Sequence, residues 1–268
     1  MMKHIAKNTL PSLRTIGKGI GLSLVMGFWC LFVTAETTVL GTYGFVQIEL
    51  PASGGVNLVG FNFGTGSNGQ ALEEIFHSGA LEQGSSPELA DKVYVWDDVS
   101  QAYVAYFQQP DGQFYVVSDP SGPAVSVTIQ NGDALFLKSA DDASSAKQLV
   151  LLGSVSMSAS TTVSYADTVV FANPYPTTAN LNHGDFDWSA ATSGPLPPQA
   201  DQIHIWNPAK VGGAGYQSYF LKSVNGVKLW HSSKAPYALT DPILPVGGGA
   251  YYSARASFTN SIIRPFEN

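Results

Sequence analysis

The stretch "ADKVYVWD" (residues 90–97) returns as "ADQIHIWN" (residues 200–207) in the second half of this 268-residue chain. Each octapeptide alternates with period two, the pattern of a strand whose two faces meet different surroundings. Val93 and Val95 point one way, Tyr94 and Trp96 the other; Ile203 and Ile205 oppose His204 and Trp206 in the same manner. Superposing the two octapeptides brings further landmarks into line. "NLVGFNF" (57–63) meets "TVVFANPYP" (168–176), with Asn62 opposite Asn173, and "AYVAYF" (102–107) meets "GYQSYF" (215–220). The dipeptide Asp111-Gly112 meets Asn225-Gly226, and "IQNGDALFL" (129–137) meets "LPVGGGAYY" (244–252). Landmarks that keep their order predict an internal duplication.

Asp-Gly and Asn-Gly supply the positive φ of tight hairpin turns, so "YVAYFQQPDGQFYVV" and "YQSYFLKSVNGVKLW" are expected to be β-hairpins. Sixteen prolines and 27 glycines break the chain into short strands, as in a sandwich or barrel. Helix is expected only in "ALEEIFHSG" (71–79), where Leu72, Ile75 and Phe76 share a face, and more weakly near "DDASSAKQLV" (141–150). "GGG" (247–249) is read as a bulge or a close backbone approach. The prediction is an all-β chain of two tandem, duplicated β-sandwich or barrel-like units with little helix. The first would span residues 36–147 and the second 148–268. Two separate sandwiches are the first expectation; a single composite sandwich is the alternative, because the join is short.

The opening 35 residues read as a signal peptide. Lys3, Lys7, Arg14 and Lys18 precede the apolar run "IGLSLVMGFWCLFV" (20–33), and Val33-Thr34-Ala35 suits cleavage after Ala35. The run is shorter than the ~20 apolar residues that a spanning helix needs, so no membrane association is expected once the leader is removed. Cys30, the sole cysteine, lies within that run behind the bulky Trp29, which argues against lipid attachment. The exported chain would therefore fold without disulfides. Four of the 13 basic residues and none of the 20 acidic ones lie in the leader, so its removal takes the formal charge from −7 to −11. An acidic chain without a basic cluster repels phosphate backbones, which excludes nucleic acid as a partner.

The second half, with "VVFANPYP", "IHIWN", "GYQSYFL", "VKLW" and "PVGGGAYY", resembles a module of secreted bacterial cell-surface proteins. Those modules carry a "GWNLIGNPYP" stretch, a "vyvWd" strand, a Tyr-rich hairpin closed by a Trp, and a "pGxaFwv" strand, usually in tandem. The first half matches with "VNLVGFNF", "VYVWD", "AYVAYF" and "GDALFL". Both halves lack the opening Gly-Trp, and the first lacks Asn-Pro-Tyr-Pro. The resemblance implies an exported β module of large adhesin-like proteins and no defined catalytic site.

Candidate ligand contacts are aromatic. Trp96 and Trp206, with Tyr103 and Tyr216, could offer ring faces to a pyranose; alternatively they form core, and their recurrence in both halves favours packing. "NHGDFDW" (182–188) is the candidate cation loop, with Asp185 and Asp187 as oxygen donors for calcium beside the Asn182 carbonyl. No downstream Glu closes an EF-hand there, and Asn, Gly and Asp are also ordinary turn residues. The histidines have no zinc spacing, and no nucleophile elbow, zincin helix or phosphate loop occurs, so no cofactor is expected. Together these readings predict a secreted or cell-surface, non-catalytic protein that is structural or adhesive, with other surface proteins or its own copies as partners. The alternative is a carbohydrate-binding module that takes polysaccharide; third is a glycan-active hydrolase.

Overall fold

Period-two alternation places one face of each half's central strand against its own apolar core and turns the other face toward the opposite half. The computed structural model describes residues 43–64, 69–77, 79–208 and 215–264, all within one compact unit. The predicted leader, with Cys30, lies outside the described residues.

In the first half the strands are β1 (Tyr43–Leu50), β2 (Val56–Gly60), β3 (Gln70–Ala71), β4 (Lys92–Asp97) and β5 (Ala102–Gln108). They continue with β6 (Phe114–Val116), β7 (Thr128–Ile129), β8 (Ala134–Lys138) and β9 (Lys147–Ser154). The second half runs β10 (Ser160–Tyr165), β11 (Thr168–Ala172), β12 (Ala179–Asn180), β13 (Gln202–Asn207) and β14 (Gly215–Val224). It ends with β15 (Val227–Ser232), β16 (Ile243–Leu244), β17 (Gly249–Ser253) and β18 (Phe258–Ile263). Two five-stranded antiparallel sheets result, ordered β2-β8-β4-β5-β6 and β11-β17-β13-β14-β15. The ribbons β1-β9 and β10-β18 and the short pairs β3-β7 and β12-β16 also correspond, strand for strand. The protein is an all-β sandwich.

Both anticipated hairpins form, β5-β6 and β14-β15. Asn225 and Gly226 adopt φ of 53° and 82°, as a two-residue turn requires. The helix expected over 71–79 contracts to one turn, α1 (Leu72–Ile75), with Leu72, Ile75 and the following Phe76 buried. The weaker helix near 141–150 does not form. "KQLVLLGS" alternates buried and exposed residues along β9, and pairing with β1 satisfies its backbone. The strand series consequently turns over between β9 and β10, within residues 155–159.

Each half has its own core. Val46, Ile48, Leu149 and Leu151 of the β1-β9 ribbon pack with Val59, Val93 and Leu135 of the first sheet and with α1. Tyr165 and Ile262 of the β10-β18 ribbon pack with Phe171, Ile203 and Tyr252 of the second sheet, around Trp188 and Trp230. A third cluster joins the halves, with Leu58 and Ala134 meeting Val170 and Ala172 between the two sheets.

The Asp at the second position of each repeated octapeptide is fully buried and serves as a clamp. Asp91 accepts the backbone N–H groups of Glu82 (2.8 Å) and Ala140 (2.8 Å) and pairs with Lys147 Nζ (2.9 Å). Asp201 accepts the N–H groups of Thr192 (2.8 Å) and Arg255 (2.6 Å) and the Tyr252 hydroxyl (2.8 Å). Each carboxylate thus ties the entry of its central strand to the preceding loop and to the end of the neighbouring strand. Replacing Asp201 by Ala removes the acceptor of the buried Tyr252 hydroxyl and of the part-buried N–H groups of Thr192 and Arg255. This should lower unfolding free energy by about 3–5 kcal/mol, read as a lower urea midpoint at unchanged slope.

Candidate functional site

The four aromatic residues singled out from the sequence converge between the sheets. Trp96 opposes Tyr103 across β4-β5, and Trp206 opposes Tyr216 across β13-β14. The strands on the other side of β4 and β13 add Phe136 from β8 and Tyr251 from β17. These six side chains form a closed ring. Centroids are 5.1 Å apart for Trp96–Tyr103, 5.4 Å for Tyr103–Phe136 and 5.2 Å for Phe136–Trp206. The circuit continues at 5.1 Å for Trp206–Tyr216, 5.3 Å for Tyr216–Tyr251 and 5.8 Å for Tyr251–Trp96. Every contact is edge-to-face, the arrangement favoured by the aromatic quadrupole. Burial pushes the phenols of Tyr103 and Tyr216 far above their ordinary range, and the Tyr251 hydroxyl interacts with both.

Each member of the ring gives part of its surface to a neighbour, which reduces the aromatic face open to a sugar. What remains open of Trp206 lines a shallow apolar cleft of about 250 Å³ with Val56, Tyr94, Phe136 and Lys138. Trp96 and Trp206, both half-buried, pack in the joint between the sheets.

The sheets approach closely because the backbone carries little at the crossing. A Cβ on Gly60 would come within 2.4 Å of Ala172 Cβ, and one on Gly249 within 2.7 Å of Ala134 Cβ and of the Leu58 side chain. Across this gap the halves exchange backbone hydrogen bonds reciprocally. Gly60 N–H donates to Gly247 O at 2.8 Å, and Ala172 N–H donates to Gly132 O at 2.7 Å. "GGG" (247–249) accordingly serves close backbone contact. The Asn62 side chain donates to the Asn173 carbonyl, so two landmarks aligned in sequence touch in space.

A wider groove of about 800 Å³ opens on the second sheet, beyond the ring. Its lining includes Tyr216, Gln202, His204, Ser218, Gln217 and Lys234. His204 Nδ1 lies 2.8 Å from Ser218 Oγ, and burial lowers the imidazole's pKa, so the ring is neutral near pH 7. Amides, hydroxyls and one ammonium line the groove, with no carboxylate. Tyr216 belongs to both the ring and the groove, and the alternation of strand β13 placed His204 on the same face as Trp206. The groove residues from β15 and from residues 233–240 had no signal in the sequence.

The candidate cation loop is held together by its own hydrogen bonds. Asp187 accepts the Ser189 N–H at 3.0 Å, capping the single turn Trp188–Ala190, and that bond holds its carboxyl below the usual range. Asp185 receives the Asn180 N–H at 3.4 Å, while the Asn182 side-chain carbonyl accepts Trp230 N–H at 2.7 Å. Among the described residues no three His, Cys, Asp or Glu side chains converge as a metal site.

One carboxylate that the sequence reading passed over lies at the joint. Burial pushes Asp133 up to about 6, against the opposing effect of the Gln130 N–H, and Asp98 nearby raises it further. Asp133 closes the turn that presents Gly132 O to the other half. Because the folded state resists ionising Asp133, its contribution to stability falls as pH rises through about 6. Asp133→Asn should therefore be more stable than wild type at pH 8, and the gain should shrink as pH falls below about 6 and vanish by about pH 3, below the ordinary range of an Asp in the unfolded chain, as urea midpoints would report. The ring makes a separate prediction. Trp206→Ala should cost about 2–4 kcal/mol, and a double-mutant cycle with Phe136→Ala should show about 1 kcal/mol of coupling.

No protein-family model, curated protein or solved structure matches the chain.

Proposed function

We propose that this chain is an exported, non-catalytic β protein of the bacterial surface or extracellular matrix that works by structural or adhesive contact. One observation carries the reading. The outward face of the β1-β9 ribbon leaves Tyr43, Phe45, Leu152 and Val150 exposed at 73%, 69%, 62% and 53%. Phe45 and Leu152 are directly opposed across the ribbon, so these side chains form one patch. Large apolar side chains gathered on a surface mark a contact site. Support also comes from the leader-like first 35 residues and from a scaffold stiffened by two cores and an aromatic joint.

A second reading, polysaccharide binding, is favoured by the neutral groove on the second sheet. Its amides and hydroxyls suit polyols, and Tyr216 and Tyr219 add aromatic surface at its wall.

Expressed with its full sequence in a bacterial host, the chain should be recovered outside the cytoplasm beginning at Glu36, as N-terminal sequencing would show. Cytoplasmic retention with the leader intact would remove the first reading. Retention on insoluble polysaccharide, weakened at least tenfold by Gln217→Ala with Lys234→Ala at an unchanged urea midpoint, would put the second in its place.

A further inference from the structure

We infer that the outward face of the β1-β9 ribbon is a self-association surface on which a second copy of this chain docks, face to face. The inference rests on the adhesive reading and names its partner.

The two ribbons of the fold do the same structural work but present different surfaces. On β1-β9 the outward positions are Tyr43, Phe45, Gln47 and Glu49 against Ser154, Leu152, Val150 and Gln148. On β10-β18 they are Ser160, Thr162 and Ser164 against Ile263, Ser261 and Thr259. Inward residues are buried in both, through Val46, Ile48, Leu149 and Leu151 in one and Tyr165 and Ile262 in the other. The fold therefore does not require apolar residues on a ribbon's outer face. Four gathered on one ribbon, against the single Ile263 on the other, call for something to cover them.

A second copy fits by area and by charge. The four apolar side chains offer roughly 500 Å² at the measured exposures, at the upper end of what a monomer usually shows. Two such faces together remove roughly 1,000 Å² from water, the lower limit for specific association. The formal charge of the whole chain is −7, yet the face carries a single carboxylate, Glu49, at the end opposite Tyr43. A twofold arrangement that lays one apolar end over the other keeps the two Glu49 side chains apart. An isologous contact needs one self-complementary patch, and this face supplies it. Repulsion between two acidic molecules is long-range and screened beyond roughly 8 Å at physiological salt, whereas apolar burial is not. Added salt should therefore tighten the pair.

Sedimentation velocity on the secreted chain between about 1 and 500 µM tests this. The expected result is a reversible monomer–dimer equilibrium with a dissociation constant on the order of 10–100 µM, tighter in 0.5 M than in 0.05 M NaCl. Phe45→Ser with Leu152→Thr, which imitates the other ribbon, should weaken it at least tenfold. Gln47→Lys with Gln148→Lys, at exposed sites that leave the core untouched, provides a second variant should the first fail to fold, and should also weaken it. A wild-type chain that stays monomeric throughout overturns the inference, as does a dimer that both variants leave unchanged. A chain that stays monomeric but floats with phosphatidylcholine vesicles assigns the face to lipid and overturns it too. Export and surface recovery are measured separately, so a monomeric yet exported chain would remove the dimer and leave the adhesive reading standing.

Discussion

Two sheets brought within backbone distance of each other set the terms for everything else in this molecule. Gly60, Ala172, Ala134 and Gly249 leave no bulk at the crossing, so the strands can exchange hydrogen bonds with the opposite half's turns. Close approach at that point fixes the space available farther along the same faces. There six aromatic rings fill the gap edge to face. A larger residue at the crossing would lift the sheets apart and loosen every contact of the ring together, since a packed interior transmits displacement rather than absorbing it.

The buried aspartates solve a different problem, that of starting a central strand where the chain arrives from an irregular loop. Asp91 accepts a buried backbone donor and Asp201 a part-buried one, each at the end of the neighbouring strand. Their remaining partners differ, an ammonium for Asp91 and a phenol for Asp201, while the backbone partners correspond. Geometry is thus kept where the strand register depends on it, and chemistry is free to vary next to it.

Differences between the halves lie away from that shared framework. His204 stands at the register position of Tyr94 and turns the inner edge of the second sheet into a polar groove. Asp133 stands where the second half has Gly248, placing a carboxylate with a raised pKa on one side of the joint only. The ribbons diverge most, one outer face carrying four large apolar residues and the other Ser and Thr with a single Ile. A scaffold that tolerates such divergence can carry distinct contacts on its two ends without altering its core.

Local patterns were enough to read the strands, because alternation and turn chemistry are written within a few residues. Val93 and Val95 against Tyr94 and Trp96, and Asn225-Gly226 between Val224 and Val227, needed no knowledge of distant chain. "KQLVLLGS" misled for the same reason. Its residues suit helix or strand, and only β1, about a hundred positions earlier, decides for strand. Alternation also says that Trp96 and Trp206 share a face with their neighbours, but not what lies opposite that face. Solvent, sugar or a second sheet would all satisfy the sequence equally. The tertiary structure chose the second sheet, since burying two aromatic faces against each other removes more apolar surface from water than leaving either exposed.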